Sequence, residues 1–399
     1  MRIRFPYARG FHLRLPASVL AVLFLSLLLS GCSSVRGMFG SSEPVAVPAE
    51  LKPVSAELNP TRIWQSDAGA GSKKFFIKLR AALADGRVYT ADVRGAVSAF
   101  DAASGERLWS TDLDLPLSAG PGVGDGLVLV GSSQGDVVAL DPSNGAERWR
   151  ARVASEVLSR PVSAAGITAV RTTDGKLYAL RSDSGETAWI YDRSVPVLSL
   201  RGTSAPLMVG DGLIAGFDNG RLAALTLAGG QVAWERVLAT PSGRTELQRM
   251  VDIDADPVLD GNDLFAVSFQ GQIAALDPRN GEILWQREMS SHAGLAVDAT
   301  AVYVTDESSH VWALDRRSGS TLWKQTDLQH RRLTAPVVQG RYVVVGDFEG
   351  YLHWLSKDDG RIVGRLQVDD DGIAAAPVTA SDTLYYLGRG GRVGAVTIR

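Results

Sequence analysis

From residue 61 onward, short apolar runs alternate with turn-forming polar clusters, and the alternation recurs along the chain. In "GQIAALDPRNGEILW" (271–285) an apolar β-rich run is followed by "DPRNG" and a second run ending in Trp. Asp, Pro and Asn bend the backbone and Gly281 takes a positive φ, so the phrase predicts a β-hairpin. Aligned on its final Trp, the phrase recurs at 95–109, 135–149, 175–189, 220–234 and 309–323. Another strand–turn–strand precedes each, as at 257–271 and 336–350. Four short antiparallel strands every 38 to 51 residues predict the blades of a β-propeller. A β-helix repeat would be shorter and parallel, and no helical period of the leucine-rich kind appears in 61–399.

Two more phrases are incomplete. The one at 350–364 keeps the frame but ends in Gly364, which predicts looser packing in the seventh blade. The one at 391–399 begins and runs out of chain, while a Trp ending without a beginning, "TRIW", stands at 61–64. Joined, the two make an eighth unit. The chain is therefore predicted to be an all-β, eight-bladed propeller of four antiparallel strands per blade. Its ring closes when the strand around Trp64 pairs beside Val393–Val396, which leaves no open edge at the seam. Length alone suggests two or three domains; the repeat makes 61–399 one. Trp64, Trp109, Trp149, Trp189, Trp234, Trp285 and Trp323 are predicted to dock between blades, since each buries roughly 150–250 Å².

The N-terminus changes the compartment. Arg2, Arg4, Arg9 and Arg14 precede an apolar stretch at 17–30 that ends in "LSGC", which predicts an export signal over 1–31. Cys32 is the only cysteine, and its place resembles the lipobox of bacterial lipoproteins, which implies lipidation and cleavage before it. The alternative is an ordinary secretory signal with an incidental cysteine. By the same resemblance, Ser33 implies sorting to the outer membrane. Residues 32–60 are rich in Ser, Pro, Gly and Ala without a period and predict a flexible tether. Loss of four arginines leaves 37 basic against 44 acidic side chains, with no basic tract for nucleic acid. With its one thiol lipidated, the fold has no disulfide.

Catalytic chemistry is sparse. His292, His310, His330 and His353 show no metal-ligand spacing, and neither a G-x-S-x-G elbow nor a P-loop occurs. "DIDAD" (252–256) has the alternating carboxylates of a calcium loop, but Pro257 stands where that loop turns on Gly. The reading is therefore no metal and no cofactor. The Trp phrase resembles the repeat of pyrroloquinoline-quinone dehydrogenases, also eight-bladed, which implies an enzyme as the alternative. Those enzymes usually carry a vicinal disulfide, which one cysteine cannot form.

The links between blades depart from the repeat. Twelve or 13 residues separate most closing Trp residues from the next opening Pro, but 17 separate Trp189 from Pro206 and 23 separate Trp234 from Pro257. Insertions on one face of a repeat are where binding is built. One link offers Val197, Leu198, Leu200 and Arg201; the other offers Arg244, Glu246, Arg249, Asp252 and Asp254. With the lipobox, the tether and eight Trp-phrase units, "LSLRGTSAP" (198–206) and "RTELQRMVDIDADP" (244–257) resemble the BamB family, propeller lipoproteins of the outer-membrane β-barrel assembly machinery. The resemblance implies a non-enzymatic scaffold facing the periplasm. It also implies that Leu198, Leu200, Arg201, Asp252 and Asp254 bind the POTRA domains of BamA. Unfolded outer-membrane proteins, which could add strands at blade edges, are a further implied partner.

Overall fold

In a computed structural model, which describes residues 46–398 except 56, 194–197, 199 and 201, all regular structure is strand. Thirty-two strands form eight antiparallel sheets of four. Blades one to seven are each continuous in sequence, and the innermost strands of successive blades touch around a central axis. Blade eight is assembled from both chain ends: Pro60–Asp67 lies antiparallel to Arg392–Ile398, with Trp64 opposite Ala395. The ring closes as the stray ending predicts.

The tryptophans dock in one way. Trp64, Trp109, Trp149, Trp189, Trp234, Trp285 and Trp323 each lie over the turn glycine of the next blade and donate Nε1–H to a carbonyl of that turn at 2.7–2.9 Å. Gly281 shows why the turn needs glycine. Its φ is +69°, and a Cβ there would stand 2.6 Å from the Trp234 ring. Apolar side chains of neighbouring sheets fill the space between blades, as Ile214, Leu222 and Trp234 do against Leu264, Ala274 and Leu276.

Gly364 does not loosen the seventh blade, and this corrects the sequence expectation. In blades one to six the docking Trp is paired with an Ala on the third strand, such as Ala99 with Trp109. In blade seven the pair is inverted to Trp354 with Gly364. Trp354 is fully buried, donates Nε1–H to Gln339 Oε1 at 2.7 Å, and packs against Leu384, Tyr386 and Val396 of blade eight. The inversion follows from the seam. Blade eight joins its outer strands across the chain ends, so it has no turn glycine for a Trp at 364 to cover. Leu58 occupies the place and is buried beside Gly364. Gly364→Trp, which restores the repeat, is therefore expected to lower the unfolding free energy by about 1–3 kcal/mol through overpacking against Leu58, read as a lower urea midpoint.

Residues 48–55 and 57–59, assigned to the tether from sequence, lie along blade seven instead. Ala49 N–H donates to the Gln329 carbonyl at 2.9 Å and its carbonyl accepts from Arg331 Nη1 at 2.9 Å. Arg365 Nη1 holds the Lys52 carbonyl at 3.0 Å, and Glu57 pairs with Arg361 at 2.7 Å. Arg331 is itself fixed by buried Asp347, which also holds buried His353 at 3.0 Å. Specific polar contacts to the strap override its coil-like composition. The signal and Cys32 lie outside the described residues.

Candidate binding face

Each blade is a four-stranded antiparallel sheet, so every link to the next blade emerges at the same end of the ring. The links into blades four and five therefore share a face. The second link is built in two parts. Residues 244–250 make one helical turn closed by a capping box: Gln248 N–H donates to Thr245 Oγ1 at 3.2 Å, and Gln248 Oε1 accepts from the N–H groups of Arg244 and Thr245 at 2.9 and 3.4 Å. This turn leaves Arg244, Glu246 and Arg249 exposed and projects Leu247, which is 65% exposed. Leu247 is absent from the sequence-based set; one apolar residue inside "RTELQR" was its only signal.

The second part, Val251–Ala255, is buried throughout. Phe269 N–H donates to the Asp252 carbonyl at 2.7 Å, and Ile253 packs on Gly216. Asp252 and Asp254 thus do not present their carboxylates to solvent, a correction to the set read from sequence. An Asp–Ile–Asp–Ala alternation looks alike in an exposed loop and in a buried one. Both carboxyls face the buried Arg171–Asp218 ion pair, and among the described residues both Asp252 oxygens and Asp254 Oδ1 lack a hydrogen-bond partner. Burial pushes both acids above the usual carboxylate range; the Asp254 charge adds to the effect on Asp252, while Lys78 opposes it at Asp254. Gly202 touches the Asp254 carboxyl, so the acids support the base of the other link.

On that link, Leu198 is 46% exposed and Leu200 half-buried. Arg201 and Val197 lie outside the described residues. At the same face the axial channel is crossed by side chains from non-neighbouring blades. Asp256 stands between Arg80 and Arg160 at 3.6 and 3.8 Å, and Lys78 donates to the His292 carbonyl at 2.8 Å. Burial, then the charge of Arg160, lowers Arg80 to about 10.

A quinone enzyme of this fold would need a metal-binding donor set in the channel. Among the described residues no three His, Cys, Asp or Glu side chains converge as such a set. Asp260 and Asp263, which continue the calcium-loop pattern, are both bound to Arg316.

Comparison with known proteins agrees with the propeller fold. A family model described as outer membrane protein assembly factor BamB matches residues 56–114 and 93–325. The outer membrane protein assembly factor BamB of Pseudomonas aeruginosa is 47% identical over 379 residues, covering 95% of this chain and 98% of that one. The crystal structure of BamB from Moraxella catarrhalis superposes with a TM-score of 0.79 at 28% identity, covering 85% of this chain and all of that one. The quinohemoprotein alcohol dehydrogenase of Comamonas testosteroni, at 13% identity and a TM-score of 0.68 over 85% of this chain and 76% of its own, shares the fold alone. By sequence and by fold, the chain belongs to the BamB family of outer membrane protein assembly factors.

Proposed function

We propose that the protein is a non-enzymatic scaffold of outer-membrane β-barrel assembly, exported by residues 1–31, lipidated at Cys32 and facing the periplasm. It holds the POTRA domains of BamA on the face formed by the links into blades four and five. The observation that carries this reading is the exposure of Leu198 and Leu247 on the two longest of these aligned links, beside charged Arg244, Glu246 and Arg249. Apolar anchors ringed by charge are the composition of a protein-docking patch, whose centre loses water on contact. Asp252 and Asp254 act from beneath by shaping the link, and Leu200 and Arg201 complete the surface on the first link. The family name carried by the relatives supports the assembly role.

Capture of purified BamA by immobilised protein tests the reading. Leu247→Asp and the pair Leu200→Asp/Arg201→Glu should each weaken capture by about tenfold or more, the loss of one anchor of about 1.4 kcal/mol or above. Undiminished capture by both folded variants refutes the assigned face.

A further inference from the structure

The link into blade one carries two adjacent aromatic side chains into solvent. Phe75 and Phe76 are 57% and 76% exposed. Lys73, Lys74 and Lys78 flank them, and none forms an ion pair among the described residues. The pair is not a stretch of core left uncovered. Ile77 and Leu79, which follow it, are already buried, and the base of the link is fixed. Lys73 N–H donates to the Arg389 carbonyl at 3.0 Å, Arg389 Nε donates to the Lys73 carbonyl at 2.8 Å, and Val93 N–H donates to the Gly71 carbonyl at 3.0 Å. A rigid base thus displays an aromatic pair between lysines.

The position on the ring bears on what this tip can meet. The N-terminal chain leaves the propeller at Ala49, bonded to Gln329 and Arg331 on the link into blade seven. That link and the one bearing Phe75 emerge on the same face, with only the link into blade eight between them. The long links into blades four and five lie across the ring. Seventeen residues separate Cys32 from Ala49, and fully extended they reach at most about 60 Å. A lipid at Cys32 therefore keeps the propeller within about 60 Å of the bilayer but fixes neither the face nor the sector that meets it.

We propose that Phe75 and Phe76, with Lys73 and Lys74, form a second membrane contact that seats in the headgroup layer of an anionic bilayer. The rings enter the acyl boundary and the ammonium groups meet lipid phosphates, the division of labour of interfacial segments. The sector from blade seven to blade one then faces the membrane, and the links into blades four and five stay open to the protein partner. The proposal rests on the lipidation of Cys32 for its geometry.

The test uses the mature chain bearing Cys32→Ser, so that any vesicle binding comes from the propeller. It is sedimented with vesicles of phosphatidylethanolamine and phosphatidylglycerol, and in parallel with phosphatidylcholine alone. Binding to the anionic vesicles, weakened by salt, is expected. Phe75→Ser/Phe76→Ser should reduce it by about tenfold or more, and Lys73→Gln/Lys74→Gln should remove the preference for anionic lipid. Leu247→Ser, across the ring, should bind as the parent does. No binding by the parent, or equal binding by the aromatic variant, overturns the proposal. Loss of BamA capture by the aromatic variant with vesicle binding unchanged also overturns it, and assigns the tip to a protein partner. Lipidation itself is read separately, from the mass of the mature chain purified from membranes.

Discussion

Replacing Trp64 with Ala is expected to cost about 3–5 kcal/mol of unfolding free energy, the largest loss for any single docking tryptophan. Trp64 is buried over Gly105, donates to the Ala102 carbonyl at 2.9 Å and sits 6.2 Å from the Tyr385 ring. The other six occupy outer strands that stay joined to their blades through a turn even when the indole is gone. The strand Pro60–Asp67 has no such turn, since only hydrogen bonds and packing hold it to blade eight. Its release uncovers the edge of Arg392–Ile398 and opens the ring. Trp189→Ala, at a half-buried indole inside a continuous blade, is expected to cost about half as much. Urea denaturation of both variants measures the difference, and equal losses would show that the seam adds nothing to the role of Trp64.

The second large effect has the opposite sign. Asp252→Asn/Asp254→Asn is expected to stabilise the protein by roughly 1–3 kcal/mol near neutral pH, because it removes two buried acids that lack full hydrogen bonding among the described residues and must hold protons or bear the cost of burying charge when the chain folds. Burial raises the pKa of both acids in the folded state. Above the ordinary carboxylate range, the native state therefore holds more protons than the unfolded chain, and stability falls as pH rises. The gain of the double variant over the parent should accordingly grow between about pH 5 and about pH 8. A gain that shrinks over this range, or a net loss, would mean that the carboxylates are satisfied in the folded protein. The same variant bears on the binding face: if the acids act only by supporting the links, it keeps its capture of BamA.

The ring was legible because its physics is periodic. Each turn glycine answers the Trp of the blade before it, and the count of beginnings and endings placed Trp64 beside Ala395. The inverted pair was legible in principle, since "YLHWL" puts Trp354 where other blades have Ala. A search for a Trp at one fixed position passes over it. The strap along blade seven left no local trace. Its carbonyls are held by Arg331 and Arg365, hundreds of residues away, and backbone acceptors are the same in every sequence. The long links stood out by length, but burial within them did not. Asp252 and Leu247 lie five residues apart, one in the core and the other in solvent. Phe75 and Phe76 were hidden by expectation, since apolar residues in a chain of β-strands are read first as core.

The strap along blade seven also decides how the ring meets tension. A pull arriving through the N-terminal chain reaches Ala49, Lys52 and Glu57 before it reaches the strand Pro60–Asp67. Those residues are bonded to Gln329, Arg331, Asp327, Arg365 and Arg361, all within or beside blade seven. The load is spread over several polar contacts along an intact sheet, where they must be sheared together. The ladder between Pro60–Asp67 and Arg392–Ile398, which could be unzipped one bond at a time, is shielded behind them. A ring closed without a covalent bond is thus fastened to its leash at a neighbouring blade, away from the join.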